Sequence, residues 1–200
     1  LVTELPRGHV IGIPFTALQP HVVHPGSEAF AANVDHFDRL CRVVGGMREM
    51  TVGAGGARTT AFKTVRIDEL ALQRHGITME TLDLSDVFAR MKAVRSSSNA
   101  FKDKKQRLLD YTTWEGVPEE AVDKLVRLGV AIDQVIDEYN LDALAIRCWI
   151  EMQQQLNVSP CVLLSDINDR GIPCACEVDM GNAVTMAAMA LCSAQNPKPE

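Results

Sequence analysis

Apolar residues recur at helical spacing along several long stretches of this chain. Residues 28–44 carry Phe30, Val34, Phe37, Leu40 and Val44 on one face, with Ser27 as N-cap and Gly45-Gly46 as a stop. Residues 83–95 place Leu84, Val87, Phe88 and Met91 together. The clearest helix runs from Pro118 to Tyr139. Glu119 and Glu120 lie where the helix dipole favours acids, and Ala121, Leu125, Leu128, Ile132, Val135, Ile136 and Tyr139 form the stripe, with Asn140 as cap. Residues 181–193 are apolar nearly all round, which predicts a buried helix. A short helix over 68–75 closes at Gly76, and a polar one runs from the break at Ser96-Ser97-Ser98-Asn99 to about Tyr111.

Short apolar runs between these helices read as strands over 9–14, 50–52, 77–82, 144–148, 161–164 and 174–176. Residues 15–26, with Pro20, Pro25 and Gly26, read as a loop, and so does Gly53-Ala54-Gly55-Gly56-Ala57-Arg58-Thr59-Thr60. Strands alternating with helices predict an α/β sandwich on a mainly parallel sheet. One spacing resists this. About eight residues separate Leu164 from Pro173, and parallel neighbours need a crossover of about a dozen. Either a single helical turn makes the crossover or one strand runs antiparallel; parallel is favoured.

Composition narrows the picture. Apolar residues make up 46% and charged residues 23% of the 200, which suits one globular α/β domain over 1–200 and argues against disorder. The net charge of −6 argues against a nucleic-acid surface. The densest basic run, Lys102-Asp103-Lys104-Lys105-Gln106-Arg107, reads as a solvated helix face. No apolar run is long enough to span a membrane, and no signal-peptide pattern opens the chain. The cysteines at 41, 148, 161, 174, 176 and 192 form no Cys-x-x-Cys pair and read as reduced core thiols of a cytoplasmic protein, with a disulfide framework or a zinc site as the alternative. The chain opens on Leu1 and ends in a polar, Pro-broken tail over 195–200, the expected look of a piece of a longer protein.

The candidate chemistry lies where the last three strands run into acid. Residues 144–148 lead to Glu151, 161–164 to Asp166, Asn168 and Asp169, and 174–176 to Glu177 and Asp179. Ligands of open α/β sheets bind outside the carboxyl ends of strands. Carboxylates gathered there repel unless a cation, a proton or a substrate offsets them. Glu177 and Asp179 share a face if the strand continues through them. Asp166, Asn168 and Asp169 lack the Gly and distal Glu of a calcium loop and read as an Asx turn. The Gly53–Gly56 run is not a dinucleotide fingerprint; it reads as a loop needing positive φ or close approach. Arg58 reads as structural or solvated, with ligand contact as the alternative. None of the five histidines has metal-pair spacing, and His21 and His24 read as loop residues.

Several motifs in order resemble one family. They are Gly55-Gly56-Ala57-Arg58-Thr59-Thr60, Gly76-Ile77-Thr78-Met79-Glu80, Ile146-Arg147-Cys148-Trp149-Ile150-Glu151, Ser165-Asp166-Ile167-Asn168-Asp169-Arg170-Gly171-Ile172-Pro173 and Ala175-Cys176-Glu177-Val178-Asp179. Together they resemble the L-fucose isomerase and L-arabinose isomerase superfamily, over roughly residues 8–193. The resemblance implies the middle of three domains, a three-layer flavodoxin/Rossmann-like sandwich. It implies an aldose–ketose isomerase using a divalent metal, usually manganese (Mn2+), with two acids that bind the metal and move the proton. The first maps onto Glu151. The second maps onto the Glu177/Asp179 motif, where the arabinose-type pattern favours Glu177, so Glu151, Glu177 and Asp179 are the candidate metal ligands.

Such chemistry is coherent: a hard cation prefers oxygen ligands, polarises the sugar carbonyl and stabilises an enediolate while a carboxylate shuttles the proton. The remaining metal ligand of the family is a histidine in a C-terminal domain outside this match, and its role is not transferred to His21 or His24. The implied partners are a sugar, the missing domains of a longer parent chain and copies in a homo-oligomer, with the fragment inactive alone. The alternative is a sugar- or metabolite-binding α/β module without chemistry.

Overall fold

The computed structural model describes residues 7–10, 13–16 and 18–193, so the opening residues and the tail over 195–200 lie outside the described residues. The chain divides into two compact units, Leu1–Cys41 and Arg42–Glu200. In the first, β1 (Arg7–Val10) and β2 (Ile13–Thr16) pair antiparallel, with Val10 opposite Ile13. One strand over 9–14 was expected. The chain instead doubles back, with only residues 11 and 12, outside the described set, between the strands; a two-residue connection is the usual hairpin spacing.

Helix α1 (Glu28–Met47) begins where Ser27 Oγ accepts from the Phe30 N–H at 3.2 Å. It runs through the expected stop at Gly45-Gly46. A Cβ on Gly46 would lie 2.7 Å from Leu191 Cδ1, so its small size admits that side chain. No residue of α1 is buried; Phe37, in the middle of the apolar stripe, is 66% exposed.

The second unit is built on a four-stranded parallel sheet. Its strands are β3 (Thr51–Gly55), β4 (Thr78–Leu82), β5 (Ala143–Ile146) and β6 (Cys174–Ala175), in the order β4-β3-β5-β6. The Gly-rich run expected to be a loop over 53–60 begins as strand, since β3 takes in Gly53, Ala54 and Gly55, and is loop from Gly56 on. A Cβ on Gly53 would lie 2.5 Å from Leu141 Cδ1 and 3.0 Å from Leu144 Cδ1, and one on Gly55 2.9 Å from Ile146 Cγ1. The glycines leave room for large side chains of β5 to lie across β3.

β5 alternates between the two faces of the sheet. Leu144 and Ile146 join one core with helices α3 (Leu84–Ala93), α4 (Asn99–Tyr111), α5 (Glu119–Tyr139), α6 (Glu151–Leu156) and α7 (Cys161–Asp169). Ala143 and Ala145 join the other, covered by α8 (Met180–Ser193) through Met180, Ala183, Val184 and Ala187, with Leu72 of α2 (Glu69–Arg74) at its edge. The result is a three-layer α/β sandwich with a wholly parallel sheet. α8 is only partly buried, since Met189 faces solvent. No helix among the described residues is long and apolar enough to cross a membrane.

Residues 161–164 form no strand. They open α7, which buries Leu163, Leu164, Asp166 and Ile167 on one face. A four-residue apolar run does not discriminate strand from helix by pattern alone. The correction removes the tight crossover, because α6 and α7 now fill the connection from β5 to β6.

The Asx-turn reading of Asp166 and Asn168 falls with it. Asp166 is 0% exposed. Its carboxylate meets Arg107 Nε, Lys104 Nζ at 3.4 Å and Arg170 Nε at 3.7 Å. Asp133 of α5 takes Lys104 at 2.6 Å and Arg170 at 2.6 Å, while Asp169 takes Arg107 at 3.3 Å. Three cations and three carboxylates thus tie α4, α5 and α7. Lys104, read as solvated, is 6% exposed and belongs to this network. Asn168 holds β6, accepting from Cys174 N–H and donating to the Cys174 carbonyl. Replacing Asp166 by Ala leaves a buried hole and takes the central carboxylate from Lys104, Arg107 and Arg170, which keep only Asp133 and Asp169; it is expected to cost about 3–5 kcal/mol, read as a lower urea midpoint with unchanged slope. A shift within experimental error would show the network to be dispensable.

Candidate functional site

In a sheet ordered β4-β3-β5-β6, successive connections leave β3 in opposite directions, so the ends of β3 and β5 border the topological switch point. A cavity of about 570 Å³ lies there, lined among others by Gly56, Ala57, Asp83, Leu84, Arg147 and Glu151. That volume suits a small polar metabolite.

Glu151 opens α6, directly after the β5 end, as its spacing indicated. Arg147, four residues earlier, grips it with two nitrogens: Nη2 donates to Oε1 at 2.5 Å and Nε donates to Oε2. Ile150 N–H adds a bond to Oε2 at 3.0 Å. Burial pushes the Glu151 carboxyl up, but its own N–H, Arg147 and the Ile150 N–H outweigh burial and hold it below the usual range. Glu151 is therefore a firmly ionised carboxylate facing the cavity.

The segment after β3 positions this elbow. Arg147 Nη1 donates to the Ala57 carbonyl at 3.0 Å, and Thr59 Oγ1 donates to the Trp149 carbonyl at 2.9 Å. The Phe62 and Trp149 rings lie 5.2 Å apart. Arg58 turns inward to the Thr59 and Phe62 carbonyls, which is the structural role. Arg147 and Thr59 were not singled out from the sequence. The four-residue Arg147–Glu151 spacing was the available signal for the first.

Glu177 and Asp179 part company. The strand ends at Ala175, and Glu177 (φ 57°) and Val178 (φ 59°) turn into the left-handed region, which is unusual for a β-branched residue. The shared face expected for the two acids does not form. Asp179 Oδ1 accepts from the Asn182 N–H at 2.9 Å and caps α8. Glu177 is turned toward Cys148, whose Sγ lies 3.5 Å from Oε1. Among the described residues, the ligand atoms of Cys148, Cys176 and Glu177 form a cluster within 4.8 Å of one another. Glu151 and Asp179 are not part of it, and neither Glu177 nor Asp179 lines the cavity.

All six cysteines are free thiols, with Cys41 and Cys161 exposed rather than in the core. The Cys176 thiol, donating toward the Cys148 sulfur, brings Cys148 down to about 7 and is itself pushed up. Burial, against the opposing charge of Arg170, pushes Cys174 up to about 12. His21 and His24 make only local contacts in an exposed loop: Nε2 of His21 pairs with Gln19, and Nδ1 of His24 accepts from Gly26 N–H.

Fold and site together define an α/β protein with a charged crevice at its switch point. No family model matches the chain. It is similar to sulfoquinovose isomerases: 24% identical over 164 residues to that of Priestia aryabhattai, 26% over 166 residues to that of Alkalicoccus urumqiensis and 27% over 164 residues to that of Clostridium sp. (strain MSTE9). These alignments cover 81–82% of this chain and 36–37% of the relatives, so the chain spans about a third of their length. The similarity supports a relationship to sugar isomerases.

Titration of thiolate absorbance near 240 nm is expected to show one cysteine ionising with a midpoint of about 7. Cys148→Ser removes that step, and Cys176→Ala moves it to higher pH, because the lost thiol donor had favoured the anion. A step unchanged in both variants contradicts the assignment.

Proposed function

We propose that this chain is the part of an aldose–ketose sugar isomerase that supplies the proton-moving carboxylates Glu151 and Glu177. The observation that carries the reading is Glu151, held ionised by Arg147 in a metabolite-sized crevice, in a chain similar to sulfoquinovose isomerases over 82% of its length. An ionised carboxylate is the form that removes a proton from the carbon beside a sugar carbonyl. The resulting enediolate takes that proton back on the neighbouring carbon while the hydroxyl proton passes from the second sugar oxygen to the first, which converts aldose to ketose. Arg147 orients the base. Thr59 and Phe62 hold the Trp149 segment that precedes it.

We place the chain within the L-fucose isomerase and L-arabinose isomerase superfamily on its motifs, with Glu177 as the second acid. The first substrate to try is a sulfonated aldose of the kind named for the relatives. The further domains of a longer protein and other copies of the chain are the proposed partners, in the reducing cytoplasm that six free thiols fit.

The implied manganese does not fit the donors as arranged. Both Glu151 oxygens are taken by Arg147, Asp179 caps α8, and Glu177 lies beside the sulfurs of Cys148 and Cys176. The same engagement of Glu151 favours a second reading, a module that holds the sugar without chemistry.

The test is exchange of sugar C–H for deuterium in D2O, followed by NMR, in the longer isomerase that contains this chain. Glu151→Gln and Glu177→Gln are each expected to lower kcat by about 10²- to 10⁴-fold with a much smaller change in KM. Wild-type exchange rates in both variants overturn the reading. Sugar binding with no exchange in the unmodified protein supports the module instead.

A further inference from the structure

The chain carries a constellation whose two sulfurs the isomerase reading does not use: Cys148 and Cys176, gathered with one oxygen of Glu177 where β5 and β6 end. We infer that Cys148, Cys176 and Glu177 form a binding site for a thiophilic divalent cation of the zinc class. The inference goes beyond the isomerase reading and stands if that reading fails.

Three features support it. Cys148 follows β5, while Cys176 and Glu177 follow β6, so the donors come from two adjacent strands whose pairing fixes their separation. Their ligand atoms already lie within 4.8 Å of one another. Zinc–sulfur bonds of about 2.3 Å at a tetrahedral angle put two thiolates about 3.8 Å apart, so small side-chain rotations close the site. Burial is graded. Cys148 is buried and Cys176 and Glu177 are half-buried, which gives an ion a protein wall on one side and leaves a fourth position for water.

The donor chemistry selects the ion. Two thiolates with one carboxylate favour zinc or cobalt over manganese or magnesium, which take oxygen ligands. An ion held here would link the β5–α6 and β6–α8 connections and hold Glu177 beside Cys148.

The test is titration of the reduced chain with Co2+ alone, followed by thiolate-to-cobalt charge-transfer absorption in the near ultraviolet and by the tetrahedral visible bands. One equivalent is expected to produce both, with Zn2+ displacing Co2+ and Mn2+ failing to do so. Cys148→Ser and Cys176→Ser should each abolish tetrahedral binding. Glu177→Gln should keep the sulfur band and weaken affinity by roughly 10- to 100-fold, the scale that even outer-shell partners reach. Circular dichroism of each variant separates lost ligands from lost fold, and Cys161→Ser serves as a folded control that keeps the bands. Absence of a sulfur band in the folded wild type overturns the inference. So does an unchanged band in folded Cys148→Ser or Cys176→Ser. Failure of deuterium exchange in the isomerase assay leaves this outcome untouched, so the two proposals fail separately.

Discussion

The close pairing of β3 with β5 is the constraint on which the second unit rests. Gly53 and Gly55 carry no side chain on the face where Leu144 and Ile146 lie, and larger residues would collide with them. Because β3 gives way, β5 can be wholly buried, alternating leucine and isoleucine on one face with alanine on the other. The helical layer of α3 to α7 packs on the large side, and α8 approaches closely on the small side. The same pairing sets the end of β3 beside the end of β5, which is why the crevice opens between Gly56 and Arg147.

The acids that follow the strands and α7 meet different fates, decided by the charges the fold brings to them. Asp166 is buried and is compensated by Lys104, Arg107 and Arg170. A carboxylate so placed specifies how α7 docks, and it is no longer available to a ligand. Asp179 is consumed by the first turn of α8. Glu151 lines the cavity together with Arg147, which holds both of its oxygens. Glu177 alone is set among sulfurs.

Much of this was legible along the chain. The amphipathic stripe of α5, the caps at Ser27 and Asn140, and the strand-then-acid placement of Glu151 all depend on residues close in sequence. The errors fell where a short segment has no period of its own. Residues 161–164 offer four apolar positions that suit either a strand or a helix, and only packing of Leu163, Leu164 and Ile167 against the core selects the helix. Gly53-Ala54-Gly55 looks like a loop until the side chains of β5 are known to lie over it. Lys104 looks solvated until Asp133 and Asp166, from two other helices, surround it.

The sequence by itself determined the α/β class and the presence of an acid at each of two strand ends, and favoured a mainly parallel sheet, because helical and strand periods and local caps are short-range properties. Only the tertiary structure decided which sulfurs and carboxylates become neighbours. Cys148 and Cys176 are far apart along the chain, and the register of β5 with β6 brings them together. The left-handed turn at Glu177 and Val178 then separates two acids that a continued strand would have aligned. Distances between residues remote in sequence depend on strand order and turn geometry, which no local pattern encodes.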